Sequence, residues 1–156
     1  MPTPRWSVVL GAAAVALGPE AAPAQRDHYA QLMHDALRRT AAFWEQRGFI
    51  ATDGPRVGNL LQRERDSLVV TLRPESQYVA LAVCDEDCGD LNLVLHDPSG
   101  QRLAVDVATH ATPSLMASPT APGAYRLEVV MVRCSAEPCY YGLQLLRRAA
   151  VASRPP

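Results

Sequence analysis

Apolar residues recur along residues 27–47 at intervals of three and four, and from about Val57 onward the interval drops to two. The first pattern predicts an amphipathic helix. Tyr29, Leu32, Met33, Ala36, Leu37, Phe43 and Trp44 form its apolar stripe, with Asp27 placed to cap the N-terminus and Gly48 to stop the C-terminus. Such a stripe packs on its own domain, unless the joining stretch ATDGPRVG lets the helix swing free toward a partner.

The second pattern predicts strands. Leu68, Val70 and Leu72 alternate with Val69 and Thr71, and Val79, Leu81 and Val83 with Ala80 and Ala82. Leu91, Leu93 and Leu95 follow, then Leu103, Val105 and Val107, then Tyr125, Leu127, Val129 and Met131, then Tyr141, Leu143 and Leu145. The turn signals RPES, DPSG, ATPS, TAPG and SAEP separate these runs. Six or seven short strands with no helix between them predict an all-β antiparallel sandwich carrying one N-terminal helix, each strand showing one face to the core and one to water. The sandwich is expected over 56–148 and the helix and linker over 25–55. The tail 149–156 has no period and is expected to be frayed.

The first 24 residues have a different character. One Arg in MPTPRW precedes the apolar run SVVLGAAAVALG, and Ala22-Pro23-Ala24 offers an A-x-A site before Gln25. This is the three-part pattern of a secretory signal. The run is about a dozen residues, short of the roughly 20 a membrane helix needs, so no membrane anchor is expected once the signal is removed. A periplasmic or secreted location follows, and it bears on the four cysteines. In an oxidising compartment Cys84, Cys88, Cys134 and Cys139 are expected to form two disulfides, with three connectivities open. The competing chemistry is a four-thiolate zinc site built from CDEDC and CSAEPC. A thiol-redox role fits less well, because Asp85, Glu86 and Asp87 disfavour a thiolate beside them.

The 156 residues carry 15 basic and 16 acidic side chains, so no global field favours nucleic acid or an anionic membrane. Every base is an arginine, which excludes a Schiff-base lysine, a P-loop lysine and a Ser-Lys dyad. His28 and His34 are six apart on the helix, not a metal-ligand spacing, and are expected in solvent. His96 falls on the solvent phase of its strand and His110 in the loop ATHAT. Either is a conceivable base for a small hydrolase, yet no nucleophile elbow accompanies them.

The stretches DLNLVLHDPSGQRLA and TAPGAYRLEVV resemble the bacterial pre-peptidase C-terminal domain. The resemblance rests on Asp90-Leu91-Asn92-Leu93, Asp97-Pro98-Ser99-Gly100 and Pro122-Gly123-Ala124-Tyr125. GNLLQRERDSLVVTL is similar to that family's opening strands, with Asp66 where an acid is usual, and the likeness covers roughly 56–147. It implies a jelly-roll-like β-sandwich, non-catalytic, of the kind attached to secreted proteases and other exported enzymes, some of which bind calcium or extracellular polymers. Asn92 stands where a second Asp is common, the residues given before the domain are expected to hold a helix and not a protease, and the two cysteine pairs are not general to the family.

Alternating strand directions place both cysteine pairs at one pole of the sandwich, together with Asp85, Glu86, Asp87, Asp90, His110, Arg133 and Glu137. This pole has three readings. It is a pair of hairpin staples with solvated acids, Arg133 being available to pair with them. It is a calcium site on Asp85, Asp87 and Asp90, completed by carbonyls and water. Or it is a docking surface for another exported protein or an extracellular polymer, a role the N-terminal helix could take instead.

Overall fold

The computed structural model describes residues 23–149, and within them the chain forms one helix and nine strands. Helix α1 spans Pro23–Glu45. The strands are β1 (Phe49–Ala51), β2 (Arg56–Leu60), β3 (Arg65–Leu72), β4 (Tyr78–Cys84), β5 (Cys88–His96), β6 (Arg102–Asp106), β7 (Ser114–Ala117), β8 (Gly123–Cys134) and β9 (Cys139–Arg148). The expected signal segment lies outside the described residues except for Pro23 and Ala24, and the expected tail lies outside them after Ala149.

Strands β2–β9 form four nested antiparallel couples: β2 with β9, β3 with β8, β4 with β7, and β5 with β6. Pairing of β4 with β9 and of β5 with β8 joins the couples into two sheets, β2-β9-β4-β7 and β3-β8-β5-β6. This is the strand order of a jelly roll, and the all-β sandwich expected from the period-two pattern is the fold. The segment 25–55 is more than helix and linker, because β1 adds to the same edge of β9 as β2, with Phe49 opposite Arg148.

Leu91, Leu93 and Leu95 of β5, Tyr125, Leu127, Val129 and Met131 of β8, and Tyr141 and Leu143 of β9 fill the space between the sheets. On two strands the expected phase is overturned. In β4 it is Tyr78, Ala80 and Ala82 that face the opposite sheet, while Val79, Leu81 and Val83 face outward and are covered by α1. Both faces of β4 are therefore dry, and the large branched side chains lie under the helix rather than between the sheets. In β6, Ala104 packs on the core, whereas Leu103 and Val105 are 41% and 46% exposed. The irregularity between Leu95 and His96 sets this register, since Leu95 opposes Ala104 and His96 opposes Arg102. A shift of one residue turns every side chain of a strand to its other face.

The helix is docked, not free. Met33, Leu37 and Ala41 are buried against Val79, Leu81, Val83, Phe49, Tyr140 and Leu146. Leu37 reaches the backbone of β9 at Gly142, where a Cβ would stand 2.8 Å from Leu37 Cδ1. The Tyr29 ring stacks on Tyr140 with centroids 4.1 Å apart, and Trp44 meets Phe49 edge-on at 5.5 Å. Leu32 and Phe43, expected in the buried stripe, flank it at 43% and 51% exposure. Asp27 is not the N-terminal cap, since the helix already includes Pro23. Gly48, with φ of +81°, ends the helix as expected.

A polar clamp closes one edge of the sandwich. The Tyr141 hydroxyl donates to Asp66 Oδ2, and Arg56 Nε and Nη2 donate to the same oxygen at 3.0 and 2.7 Å. The clamp joins β2 and β9 of one sheet to β3 of the other, and Gly58 leaves room for the Tyr141 ring. Burial, and then the bond to Asp66, push the Tyr141 phenol up to about 12 from the ordinary 10.0. The raised value means that the neutral phenol favours the folded state. That stability is fully present below pH 10 and is lost as the pH climbs toward 12. Phenolate absorbance in an alkaline titration is expected to show the Tyr141 phenol ionising toward pH 12, and Asp66→Asn to bring it earlier. A single midpoint near 10 for every tyrosine in the folded protein contradicts the clamp.

Candidate functional site: the disulfide pole

The two disulfides are sequence-local, Cys84–Cys88 between β4 and β5 and Cys134–Cys139 between β8 and β9, each with Cα atoms 5.9 Å apart. No cysteine is left for a thiolate zinc site. Both bridges lie at the same end of the sandwich, because Cys88 and Cys134 are register partners across β5 and β8. The loops they close are laced together. Ser135 N and Oγ donate to Asp87 O at 2.8 and 2.9 Å, Tyr140 N donates to Asp85 Oδ2 at 2.8 Å, and Asp85 N donates to Tyr140 O at 3.1 Å.

A third loop, between β2 and β3, joins this end and was not foreseen. Gln62 N donates to Glu137 Oε1 at 2.7 Å, and Gln62 Oε1 accepts from Cys134 N at 3.2 Å. Arg63, with φ of +70°, donates its backbone N–H to Met131 O at 2.6 Å. The polar break LQRE between two strand-like runs is the only signal of this loop in the sequence. Glu137 is thus a loop-binding acid, and the Glu137–Pro138 peptide is cis.

The acids do not behave as one solvated cluster. Glu86 is exposed. Burial raises Asp85 above the usual carboxylate range against the pull of the Tyr140 amide, and the charge of Asp87 adds to the rise. Asp85 Oδ1 is buried and makes no hydrogen bond of good geometry, although the Asp87 and Cys88 amides face the carboxylate. Asp90 is only 8% exposed, and its Oδ1 also lacks a partner. Arg133 faces Asp90 in register but does not pair with it. Its guanidinium lies over Gly89 and donates to Gly89 O at 3.1 Å, and a Cβ on Gly89 would fall 2.5 Å from Arg133 Nε. Two residues along β5, Asn92 Oδ1 is a further buried acceptor without a donor. The expected set of Asp85, Asp87 and Asp90 is not gathered. Asp85 turns to the β9 backbone and Asp90 sits beside β8, and among the described residues no group of three or more His, Cys, Asp or Glu is placed to hold a metal ion.

The histidines are separated. His110 reaches the disulfide pole through its carbonyl, which accepts from Leu91 N at 3.0 Å. Its ring is fully used: Nδ1 accepts from Thr112 N at 3.3 Å, leaving Nε2 to face Asp106 Oδ1 at 3.3 Å. His96 lies toward the other end, with Nδ1 3.3 Å from Gly100 O in the DPSG turn. That turn forms as expected, Asp97 Oδ1 accepting from Ser99 N, Ser99 Oγ and Gln101 N at 2.9, 2.6 and 2.9 Å. His28 and His34 are exposed on α1.

The two disulfides mark an oxidising, extracytoplasmic compartment. Among the described residues no helix is long and apolar enough to cross a membrane. No protein-family model matches the chain, and no curated protein matches it.

Proposed function

We propose that this protein is a non-catalytic exported binding module, periplasmic or secreted, whose disulfide pole docks an exported protein or an extracellular polymer. The observation that carries the reading is the pair of buried carboxylate oxygens, Asp85 Oδ1 and Asp90 Oδ1, held without a well-formed hydrogen bond at the end of the sandwich that two disulfides pin. A buried acceptor left unpaired costs about 1–3 kcal/mol. A donor-rich partner, one presenting Arg, Lys or amide N–H groups, meets the exposed Glu86 first and relieves that cost where the loops open to admit its donors. The jelly-roll strand order and the resemblance to the pre-peptidase C-terminal domain both support a sandwich that works by binding.

The test compares partners co-purified from the exported fraction by the wild type, by a pole variant (Glu86→Gln with Asp90→Asn) and by a helix-surface variant (Leu32→Glu with Phe43→Glu). The pole variant is expected to lose the partner and the helix variant to keep it. The reverse pattern moves recognition to α1 and overturns the reading.

A second reading, calcium binding, is favoured by one specific feature: Asp90 and Asn92, two apart on β5, both present buried Oδ1 atoms without donors. Calcium sites of extracellular modules have dissociation constants of about 0.1–1 mM. Calcium at about ten times such a constant is expected to raise the thermal midpoint by about 3–8 °C over a chelator control. An unchanged midpoint removes calcium and leaves the docking reading standing.

A further inference from the structure

The end of the sandwich opposite the disulfides gathers Arg47, Arg73, Arg147 and Arg148. Two of these guanidiniums are occupied. Arg148 lies 4.6 Å from the Phe49 ring centroid and donates to Gln77 Oε1 at 2.8 Å and Arg47 O at 3.4 Å. Arg47 lies 3.4 Å over the Phe43 ring and donates to Phe43 O at 2.7 Å. Arg73 and Arg147 differ: among the described residues neither guanidinium meets an acid or a hydrogen-bond acceptor, whereas Arg56, Arg65 and Arg126 all pair with carboxylates.

Their placement is specific. Arg147 continues the phase of Tyr141, Leu143 and Leu145 and is in register with Tyr78, whose ring lies in the core between the sheets. An arginine therefore takes an inward-facing position at the mouth of the sandwich. Arg73 follows the end of β3 in the opposite sheet. The two side chains together line both of two adjoining clefts. One, of about 430 Å³, also holds Glu75, Ser76 and Gln77; the other, of about 340 Å³, holds Thr52, Thr71 and Tyr78. The Tyr78 oxygen accepts from Arg73 N at 3.1 Å, which leaves its O–H proton available to a ligand. Glu75 is the only acid in either lining.

We infer that this mouth binds a phosphate group, either free phosphate or the terminal phosphate of an ester. In the 340 Å³ cleft an arginine from each sheet and the Tyr78 hydroxyl line the same space, a donor set that suits a tetrahedral anion with three or four oxygens. A carboxylate, with two oxygens, satisfies only one fork. The site is independent of the disulfide pole, so it stands whether or not docking occurs there.

Inorganic phosphate titrated into the ¹⁵N-labelled protein, with chloride holding the ionic strength constant, is expected to give saturable amide shifts at Gln77, Tyr78, Arg147 and Arg148. Arg73→Gln and Arg147→Gln are each expected to weaken binding about tenfold or more, the loss typical of one charge-assisted hydrogen bond. Arg38→Gln, which removes an exposed arginine of α1 outside both sites, leaves it unchanged. Glycerol phosphate run in parallel identifies the source: tighter binding assigns a phosphate ester, equal binding the free anion. Shifts that fail to saturate, or an affinity unchanged in the exposed-site variant Arg73→Gln with a native spectrum, overturn the inference.

Discussion

Replacing Leu37 by alanine lowers the free energy of unfolding by about 2–5 kcal/mol, the range for deleting a large aliphatic side chain from a closed site. Leu37 is 0% exposed and sits at the centre of the cluster beneath α1, against Gly142 of β9. The removed atoms leave a gap between helix and sheet that cannot close easily, because Met33, Ala41 and the strand residues Val79 and Leu81 are themselves fixed by neighbours. The control is Leu32→Ala on the same helix. Leu32 is 43% exposed, so its loss is expected to stay within about 0.5 kcal/mol. Urea unfolding of both variants measures the difference. Equal effects mean that α1 does not cover the sheet in solution, and the description of β4 as dry on both faces falls with it. Gly142→Ala approaches the same contact from the other side, and overpacking there is expected to cost about 1–3 kcal/mol.

The two packing faces of β4 show where a sequence reading stops. Alternation on β5 and β8 identifies the inner face correctly, since only one face of each is apolar throughout. In β4 all of Tyr78–Val83 is apolar, so periodicity alone cannot say which phase meets the other sheet. The choice was made by α1, a tertiary contact invisible to a local pattern. For β6 the turn decided: DPSG and the irregularity beside it set the register that exposes Leu103 and Val105. The disulfide pole was legible as a place, because strand parity needs only the order of turns. Its chemistry was not. Acids written next to one another as Asp85, Glu86 and Asp87 imply a solvated cluster, yet Asp85 is drawn onto the Tyr140 amide and Asp90 is buried beside β8. Which carboxylate is exposed depends on backbone donors from β9, 55 residues away from Asp85 in the chain. Arg147 carried a signal that could have been read, since it breaks the apolar phase of β9 at the strand's last inward position.

Removing both disulfides is expected to cost on the order of 4 kcal/mol, roughly 2 kcal/mol for each short loop in the chain-entropy account, before the coupling between the loops shifts the sum. That is a large part of the 5–15 kcal/mol typical of a domain. The measurement compares the wild type with Cys84→Ala/Cys88→Ala, with Cys134→Ala/Cys139→Ala, and with all four replaced. Alanine is the right replacement, because Cys88, Cys134 and Cys139 are 5%, 7% and 0% exposed and a serine hydroxyl there would need a partner. The two pairs are not expected to act independently. Cys88 opposes Cys134, and Ser135 holds Asp87, so opening either loop loosens the other and the four-fold variant departs from the sum of the two doubles. Before global unfolding, the loss should show in hydrogen exchange. The amides of Asp85, Ser135 and Tyr140, bonded across the two loops, exchange faster, while those of Leu93 and Val129 in the paired strands are protected as before. Unchanged exchange at the three loop amides, with an unchanged midpoint, makes the bridges ornaments on a pole already rigid without them. In that case reduction leaves the binding proposed for the pole intact. If the bridges hold Asp85 and Asp90 in their unpaired positions, reduction abolishes binding under conditions where the sandwich is still folded.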